Sequence, residues 1–430
     1  MSLGVLNVAV VGAGTAGSAS ALFMARAGHA VTLFEAVEQP GPVGAGIMIQ
    51  PTGMRVLAEL GLLERMLARG ARVERLHCVT RARRDVIDLA YADVHPGAYG
   101  LGLHRGVLFE ALFGAVRVEP GVALHLGASI ARLRHVKGKV VLREDTGEEH
   151  GPFDLLIIAD GARSKLRDQT SLVERATEYP WGALWFIGED PERRFDGTLF
   201  QVVEGTTRML GLLPSGLGPA GETPRVSLFW SVRADRLDAW HAEGLAPWRE
   251  LLARLEPRAR ALLEQVDHVE EVLFARYWDV VLSRYHEDGV VVIGDAAHAT
   301  SPQLGQGANL ALWDAWELAC AMKGARTIED ALARYSSGRR DHLGYYQLAT
   351  RLLTPFFQSD APLLGWLRDT FMGLACKLPY VRARMIRTMC GLDRGVLLAD
   401  ALPMPALPPQ LPAGTAPTDE PLLAEQNTAP

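Results

Sequence analysis

Residues 8–35 read VAVVGAGTAGSASALFMARAGHAVTLFE and decide the fold of this chain. Val8, Val10 and Val11 are β-branched and predict a buried strand, which is followed by glycines at G-x-G-x-x-G spacing. The segment from Ala16 to Ala27 predicts a helix, and Val31–Phe34 predict a second strand. Strand, glycines, helix and strand in this order predict a dinucleotide-binding unit, and a purely structural glycine turn is the alternative.

Each glycine of this turn has a separate physical role. Gly12 permits the tight turn, Gly14 lets the backbone approach a pyrophosphate, and Gly17 lets helix and strand pack closely. The helix that starts around Thr15 and Ala16 presents free N–H groups and its positive dipole end, which both attract phosphate.

The second predicted strand ends at Glu35, roughly 20 residues beyond the glycines. A carboxylate at that distance accepts hydrogen bonds from a ribose, and its charge disfavours a 2′-phosphate. Glu35 is therefore a predicted cofactor-binding residue.

A second glycine-bearing stretch, GVVVIGDAAHATSPQLGQGAN, lies almost 300 residues further on, at residues 289–309. Gly294 and Asp295 follow an apolar strand, so the Asp295 carboxylate can accept a hydrogen bond from a cofactor hydroxyl. The turn after it opens a predicted helix, Leu310–Met322, whose N-terminal N–H groups can face a cofactor ring that gains negative charge. The predicted cofactor contacts in this turn are Pro302, Gly305, Gln306, Gly307, Ala308 and Asn309.

The composition is that of an ordinary globular enzyme. The chain has 430 residues, 48% of them hydrophobic, and a net charge of -6, which argues against a nucleic-acid partner. Its four cysteines form no C-x-x-C pair, so we expect reduced thiols and no metal site.

The first strand begins too early for a cleaved signal peptide, and no apolar run is long enough to span a membrane. We expect a cytoplasmic protein.

Further motifs lie between the two glycine stretches. GAGIMIQP occupies residues 44–51, LGLHRGVLFEAL surrounds Arg105, and FDLLIIADGARSKLR contains Asp160-Gly161. With these motifs in this order, roughly residues 5–350 resemble the single-component FAD-dependent aromatic hydroxylases, the para-hydroxybenzoate hydroxylase-like flavoprotein monooxygenases. GAGIMIQP and the segment 354–392 bring the chain nearest to the salicylate, ubiquinone-precursor and quinolone hydroxylase branches.

This resemblance implies FAD as the cofactor and NADPH or NADH as a transient co-substrate. It implies that Arg105 reaches the FAD and that Asp160-Gly161 serves both FAD and the nicotinamide cofactor. The chain has no second G-x-G-x-x-G unit, in agreement with a family that lacks a separate nicotinamide domain. The implied reaction forms a flavin C4a-hydroperoxide with O₂, which hydroxylates an aromatic ring. No residue of the sequence identifies the catalytic base or proton relay.

Several residues near these motifs have two interpretations. Arg163, Ser164 and Arg167 could bind a pyridine-nucleotide phosphate, but surface arginines are the commoner case. His298 is more often a satisfied core or surface histidine than a functional one. Trp313-Asp314-Ala315 stands where the family often has Glu-Asp-Ala, a change that we expect to affect helix packing only.

The predicted fold class is α/β, with a Rossmann-like FAD-binding domain on a parallel sheet, an antiparallel β-sheet substrate domain and C-terminal helices. Alternating runs between residues 181 and 232 indicate the antiparallel strands, and Trp248–Leu263 indicates a helix that leads back. The predicted boundaries are 1–175 and 278–350 for the two parts of the FAD domain, 176–277 for the substrate domain, 351–397 for the helical segment and 398–430 for a proline-rich, disordered tail.

Aromatic and apolar side chains in the substrate domain are weak candidates for pocket walls, because such residues are more often core. They are Trp185, Gln201, Leu212, Pro214 and Phe229. His241 and Tyr277 lie in or near the same domain, and each has an equally good structural interpretation.

The helical segment 351–397 is interpreted either as a cap on the FAD domain or as a lipophilic surface, with weak membrane-surface contact through 354–392. Its apolar character favours an apolar or fused-ring aromatic substrate. We expect a monomer or a homodimer. Epoxidation or another oxygen insertion in secondary metabolism stays open, while a halogenase lacks its W-x-W-x-I-P motif here and a non-catalytic flavoprotein would not need the intact Asp295 turn.

Overall fold

The structure is a computed structural model that describes residues 3–41, 46–395 and 401–407. It has the mixed α/β architecture that the sequence predicts, with a parallel sheet, antiparallel sheets and C-terminal helices. The first two residues of GAGIMIQP lie outside the described residues.

The strands form three sheets. They are β1 (Asn7–Val11), β2 (Ala30–Glu35), β3 (Gly46–Ile49), β4 (Ala71–Thr80), β5 (Asp85–Ala90), β6 (Gly100–His104), β7 (Val122–Leu126), β8 (Ile130–Val136), β9 (Lys139–Glu144), β10 (Glu149–Phe153), β11 (Leu155–Ile158), β12 (Val173–Glu189), β13 (Gly197–Glu204), β14 (Arg208–Pro214), β15 (Arg225–Arg233), β16 (Leu273–Leu282), β17 (His286–Glu287) and β18 (Val290–Val292).

The helices vary from a single turn to 30 residues. They are α1 (Thr15–Arg26), α2 (Pro51–Glu59), α3 (Leu63–Arg69), α4 (Arg105–Val118), α5 (Leu237–Glu243), α6 (Leu245–Leu255), α7 (Arg260–Leu263), α8 (Asp295–His298), α9 (Gly307–Met322), α10 (Ile328–Phe357), α11 (Pro362–Leu367), α12 (Gly373–Ala375) and α13 (Pro379–Met389), with a π-helical turn over Arg368–Met372.

A parallel sheet forms the centre of the first domain. Its strand order is β17-β18-β11-β1-β2-β7, and only β17 runs antiparallel to its neighbour. The middle strands β1, β11 and β18 are buried almost throughout, because α1, α4 and α9 form a helical layer while β9 and β10 pack against β11 and β1. Burial on both faces explains why these strands are continuous runs of valine, leucine and isoleucine.

The large antiparallel sheet extends beyond the predicted substrate domain. Its order is β16-β12-β15-β14-β13-β4-β6-β3, with β5 attached to β4. Residues 46–104 supply β3 to β6, although the sequence assigned them to the FAD domain. The predicted boundaries therefore differ from the structure here, because β4 pairs in parallel with β13, more than 100 residues later, and no local pattern reveals that partner.

The predicted single helix over 248–263 is wrong. The chain forms α6, then a short 3₁₀ turn at Pro257–Ala259, then α7. Pro257 has no backbone N–H, and the residue before a proline is driven out of the helical region, as Glu256 is at φ -143°. Helices α5 to α7 cover one face of the large sheet and enclose the second hydrophobic core.

The C-terminal segment packs on the large sheet as well as on the FAD domain, where the sequence predicted its cap. Its residues Phe357, Ile386 and Met389 share a core with Cys78 and Ile87 of β4 and β5. α10 itself runs past residue 350 to Phe357 without a break.

The predicted disordered tail is wrong for residues 401–407. Ala401 forms an antiparallel bridge with Asp393, and the N–H of Leu402 donates to the carbonyl of Leu392 at 2.7 Å. Leu402 and Leu407 also pack against the first hydrophobic core, so apolar burial fixes this part of the chain. The rest of the predicted tail, residues 398–400 and 408–430, lies outside the described residues. Among the described helices, none combines the length and apolar character needed to cross a bilayer.

Candidate active site

The glycines of the first turn have two different roles, close packing and ligand binding. A Cβ on Gly12, which has φ +101°, would lie 2.5 Å from the Ala159 carbonyl oxygen, and one on Gly17 would collide with the carbonyl of Gly12. A Cβ on Gly14 would meet no atom within 4 Å. Gly12 and Gly17 are thus required by the protein itself, whereas Gly14 borders open space that a ligand can fill.

The N-terminus of α1 is uncapped. Gly14 is its N-cap, no side chain bonds to the first turn, and Thr15 and Ala16 begin the helix. Glu35 supports the same turn from β2, because its carboxylate accepts the Ala13 N–H at 2.8 Å. The free N–H groups and dipole suit an anion, and the carboxylate keeps lone pairs for a ribose.

The two distant glycine stretches meet at one edge of the parallel sheet. β1, β11 and β18 are neighbours, so the residues after their carboxyl ends lie side by side. Gly294 has φ +61°, and a Cβ there would be 2.8 Å from the Ala16 side chain, so the turns touch. Asp295 is exposed, and its side chain makes no hydrogen bond or ion pair within the described chain. A Cβ on Gly307, at the start of α9, would lie 3.8 Å from its carboxylate oxygen.

Asp160 follows β11 at the same edge. Burial raises the pKa of Asp160, and the hydroxyl of Ser164 only partly offsets this effect. Its Oδ1 is buried and has no hydrogen-bond partner among the described residues. An acceptor in this state fits a bound ligand that donates a hydrogen bond.

The arginines near these motifs separate into two kinds. Arg167 is 1% exposed, and its guanidinium donates to the carbonyls of Ala162 and Ala296 at 2.9 and 3.3 Å. It is neither a surface arginine nor free for a phosphate, because it joins two site loops. Arg105 and Arg163 are exposed and unpaired within the described residues, so their cofactor roles stay predictions.

The polar side chains of the turn before α9 form hydrogen bonds with other segments of the protein. Gln306 donates to the carbonyls of Thr388 and Met389, the latter at 2.7 Å. Asn309 donates to the Met48 carbonyl at 3.0 Å and accepts the Gln50 N–H at 2.7 Å. Their side chains are therefore structural, and only the backbone of this turn, with Pro302 and Gly305 to Ala308, stays available to a cofactor.

Asp314 is a site residue that the sequence analysis missed. Its buried carboxylate accepts the Gly294 N–H at 2.8 Å, His298 Nε2 at 2.5 Å and Arg339 Nε at 2.7 Å. Burial raises the pKa of Asp314, but His298 and Arg339 outweigh it and hold the pKa well below its ordinary value. The expected effect on helix packing concerned the departure from the family at Trp313, and Asp314 had no predicted role of its own. The structure shows that the Asp314 carboxylate fixes the Gly294 turn. The signal was an acidic residue on an otherwise apolar helix face.

His298 is a core residue with one unsatisfied atom. Its side chain is 1% exposed, and Nε2 is bonded to Asp314. Nδ1 has no partner within the described chain, so the expected satisfied histidine is only half satisfied. Arg339 continues the network to His342, whose pKa is lowered well below its ordinary value by burial and then by that arginine.

Three predicted pocket residues share one face of the large sheet. Gln201, Phe229 and Trp185 occupy one cross-strand row through β13, β14, β15 and β12. The Trp185 and Phe229 ring centroids are 5.1 Å apart, and the Trp185 indole N–H donates to the Tyr277 hydroxyl at 3.3 Å. Leu213 lies on the same face and packs with Met48, which borders the Gly305 turn. This face is therefore continuous with the flavin motifs.

Three other candidates lie elsewhere. Leu212 is fully buried on the opposite face, in the core under α5 to α7, and is not a pocket wall. Pro214 shares the parity of Leu212 and is buried at the end of β14. His241 is exposed on α5, across the sheet from Trp185. Strand alternation reveals two faces but does not show which one faces the cofactor.

One group of possible metal ligands lies away from these turns. Ligand atoms of Glu144, Glu148 and His150 lie within 4.8 Å of one another on the three-stranded sheet. Glu144 is already bonded to His150 Nε2 at 2.7 Å, which is an ordinary structural pair.

Comparison with known proteins gives one consistent answer. Residues 5–344 match a family model described as FAD binding domain. The chain belongs to the FAD-dependent aromatic hydroxylases. Salicylate hydroxylase of Pseudomonas putida is 32% identical over 84% of this chain and 88% of its own. Kynurenine 3-monooxygenase of Salinispora arenicola is 31% identical over 78% and 76%. Klebsiella pneumoniae HpxO, complexed with FAD and uric acid, has the same fold, with a TM-score of 0.75, 22% identity and coverage of 90% and 97%.

The residues present fit FAD, the cofactor of this family. The open space at Gly14 and the uncapped α1 suit the pyrophosphate, and the unpaired Asp295 carboxylate suits a hydroxyl of the cofactor chain. The partnerless Asp160 oxygen lies at the same sheet edge. We therefore propose that these residues, with Glu35, hold the FAD.

The glycine turn gives a paired test. Gly14→Val should abolish FAD binding with little loss of fold, because the added side chain enters space that the protein leaves open. Gly17→Val should prevent folding, since its Cβ collides with the Gly12 carbonyl. Flavin absorbance and far-UV circular dichroism of both purified variants measure the difference. Normal flavin content in Gly14→Val would show that the pyrophosphate binds elsewhere.

The Asp314 network gives a stability test. Asp314→Asn leaves the buried Arg339 without its counter-charge, and the free energy of unfolding of the FAD-free protein should fall by about 3–5 kcal/mol. Urea unfolding followed by tryptophan fluorescence measures it. The Gly294 turn should loosen as well, so FAD affinity should drop.

Two matched substitutions control this test. Asp330→Asn removes an exposed carboxylate paired with Arg334 on α10 and should cost about 0–1 kcal/mol. Asp295→Asn should leave the stability of the FAD-free protein unchanged but weaken FAD binding about tenfold, through the loss of one charge-assisted hydrogen bond of about 1.5–3 kcal/mol. Equal unfolding of Asp314→Asn and wild type would contradict the proposed role of the network.

Proposed function

We propose that this flavoprotein monooxygenase uses NADPH or NADH and O₂ to hydroxylate an apolar or fused-ring aromatic compound. The observation that carries the proposal is the aromatic cluster of Trp185, Phe229 and Tyr277 on the sheet face that is continuous with the flavin motifs. Flat aromatic walls suit a flat aromatic ligand. The relatives' names, salicylate hydroxylase and kynurenine 3-monooxygenase, support an aromatic substrate class.

The polarity of this face favours an uncharged ring. Its central cross-strand row carries no charged side chain and consists of Cys78, Gln201, Gly211, Phe229, Trp185 and Leu273. A small benzoate would leave its carboxylate without a counter-charge along this row, which is costly in a water-poor site. An apolar or fused ring gains burial against the same residues.

Tyr277 can orient a substrate by donating a hydrogen bond. Its hydroxyl oxygen accepts the Trp185 N–H, so its own proton is free to point towards a ligand. Burial raises the pKa of Tyr277, and the bond from Trp185 only partly offsets this. The phenol therefore stays protonated at neutral pH and acts as a donor and not as a base.

The remaining residues bind the cofactor and exclude water. Bound FAD supplies electron transfer from the nicotinamide cofactor and the activation of O₂. The N-terminus of α9 directs its positive dipole end to the site, where it stabilises negative charge. In this proposal the large sheet covers the bound substrate and limits the entry of water, which otherwise promotes side reactions of reactive oxygen species.

The reaction is tested by following NAD(P)H oxidation with a panel of aromatic compounds. Oxidation should be slow alone and accelerate with uncharged fused-ring phenols or quinolones more than with benzoates. Under ¹⁸O₂ the product should gain one labelled oxygen atom by mass spectrometry. Oxygen derived from water, or halogen in its place, would refute the monooxygenase proposal, and an epoxide product would redirect it to another oxygen insertion.

The substrate face is tested by Trp185→Ala. The KM of an accepted aromatic substrate should rise about tenfold, because the truncated side chain can no longer stack on the substrate ring. Aromatic pairs of this kind contribute about 0.5–1.5 kcal/mol beyond the area they bury. FAD content should not change. His241→Ala, on the opposite side of the sheet, is the control and should leave KM unaltered. An unchanged KM in Trp185→Ala would place the substrate elsewhere.

A further inference from the structure

The outer side of residues 362–380 is unusually apolar. Six large apolar side chains there are each more than half exposed, and we call them the apolar strip: Leu363, Trp366, Phe371, Leu374, Leu378 and Tyr380. The rings of Trp366 and Phe371 lie together, with centroids 5.9 Å apart. Single exposed apolar residues are normal, whereas a concentration of this size marks an interaction surface.

The inner side of the same segment is built from small and polar residues. Gly365 lies so close to Thr206 that a Cβ would be 3.2 Å from its methyl group, and Gly373 is pressed against the Asp85 carbonyl. Cys376 is buried against Val86. Arg368 is buried too and donates to the Phe356 carbonyl at 2.8 Å. A surface helix normally does the reverse and turns its large apolar residues inward.

This inversion fixes the direction in which the strip points. The close glycine contacts hold the backbone against the large sheet, so the large side chains cannot turn inward without breaking them. The strip is therefore presented outward by a well-packed base.

The charges along the strip leave one positive group over, because Asp369 pairs with the buried Arg368. Between Thr370 and Leu392 the sequence contains no acidic residue and four basic ones, Lys377, Arg382, Arg384 and Arg387. Lys377 is exposed beside the strip and forms no ion pair within the described residues. The three arginines pair with Asp93 or Asp393.

We propose that the apolar strip docks this protein onto the surface of an anionic lipid bilayer. Leucine and aromatic side chains that lie flat in the interface, with basic residues beside them, are what such surfaces bind. Trp366 and Tyr380 combine an apolar ring with a polar group, which suits the headgroup boundary. Insertion is shallow, since no described helix is able to cross the bilayer.

A second copy of the chain is the less favoured occupant. A two-fold contact places the same patch on both sides, so the exposed Lys377 would be brought close to its own copy. The acidic residues nearest to it along the chain are already paired, Asp369 with Arg368 and Asp360 with Arg233. An anionic surface supplies the missing charge.

Vesicle flotation of the FAD-loaded full chain tests the proposal. Wild type should float with vesicles of phosphatidylcholine and phosphatidylglycerol and bind pure phosphatidylcholine more weakly. The double variant Trp366→Ser/Leu374→Ser should lose at least about tenfold in partition coefficient, because it removes two of the largest inserting groups. Lys377→Glu should weaken binding to the anionic vesicles only. Val118→Ser, an exposed apolar position on α4, is the control and should bind as wild type does.

Because these residues are exposed, flavin absorbance and thermal unfolding should match wild type in every variant, and both are measured alongside. Wild type that stays with the unbound fraction would overturn the proposal, as would equal partition of wild type and the double variant. A wild-type dimer that the double variant converts to monomer, with vesicle binding unchanged, would assign the strip to contact between copies instead.

Discussion

One buried carboxylate holds the second half of the proposed cofactor site in place. Asp314 binds the Gly294 N–H, His298 and Arg339 at once, and all of these groups are withdrawn from water. A buried charge is tolerated only when it is paired and fully hydrogen-bonded, so each partner restricts the others. The Gly294 turn is consequently fixed on its buried side. On its other side, the Asp295 side chain stays exposed. α8, α9 and α10 are joined through the same side chain.

The parallel sheet then brings the two halves of the site together. Because β1, β11 and β18 are adjacent and run in one direction, the Gly12–Gly17 turn, Asp160 and the Gly294 turn leave the same edge. Arg167 links the loops after β11 and β18 through two carbonyls. The groups left without partners, the Asp160 oxygen and the Asp295 carboxylate, are those that a bound FAD can satisfy.

The two faces of the large sheet have different structural roles. Leu212 and its neighbours bury one face under α5 to α7, and the face with Trp185 and Phe229 is the one that we propose for the substrate. The C-terminal segment closes the outer end of this sheet and shows its own large apolar side chains to the outside. The proposed substrate face and the apolar strip lie on different elements of one molecule, so an apolar substrate and an anionic lipid surface are compatible proposals.

The sequence by itself determined the α/β class, both glycine turns, the acidic residues at strand ends and the resemblance to FAD-dependent hydroxylases. These are local patterns, and glycine spacing or strand periodicity needs only a few neighbouring residues. Tertiary structure alone decided that β3 to β6 join the large sheet, that Arg167 is buried and that Gln306 and Asn309 face the protein interior. It also decided the role of Asp314. Burial and pairing depend on partners that lie from 16 to more than 250 positions away, and no local pattern specifies them.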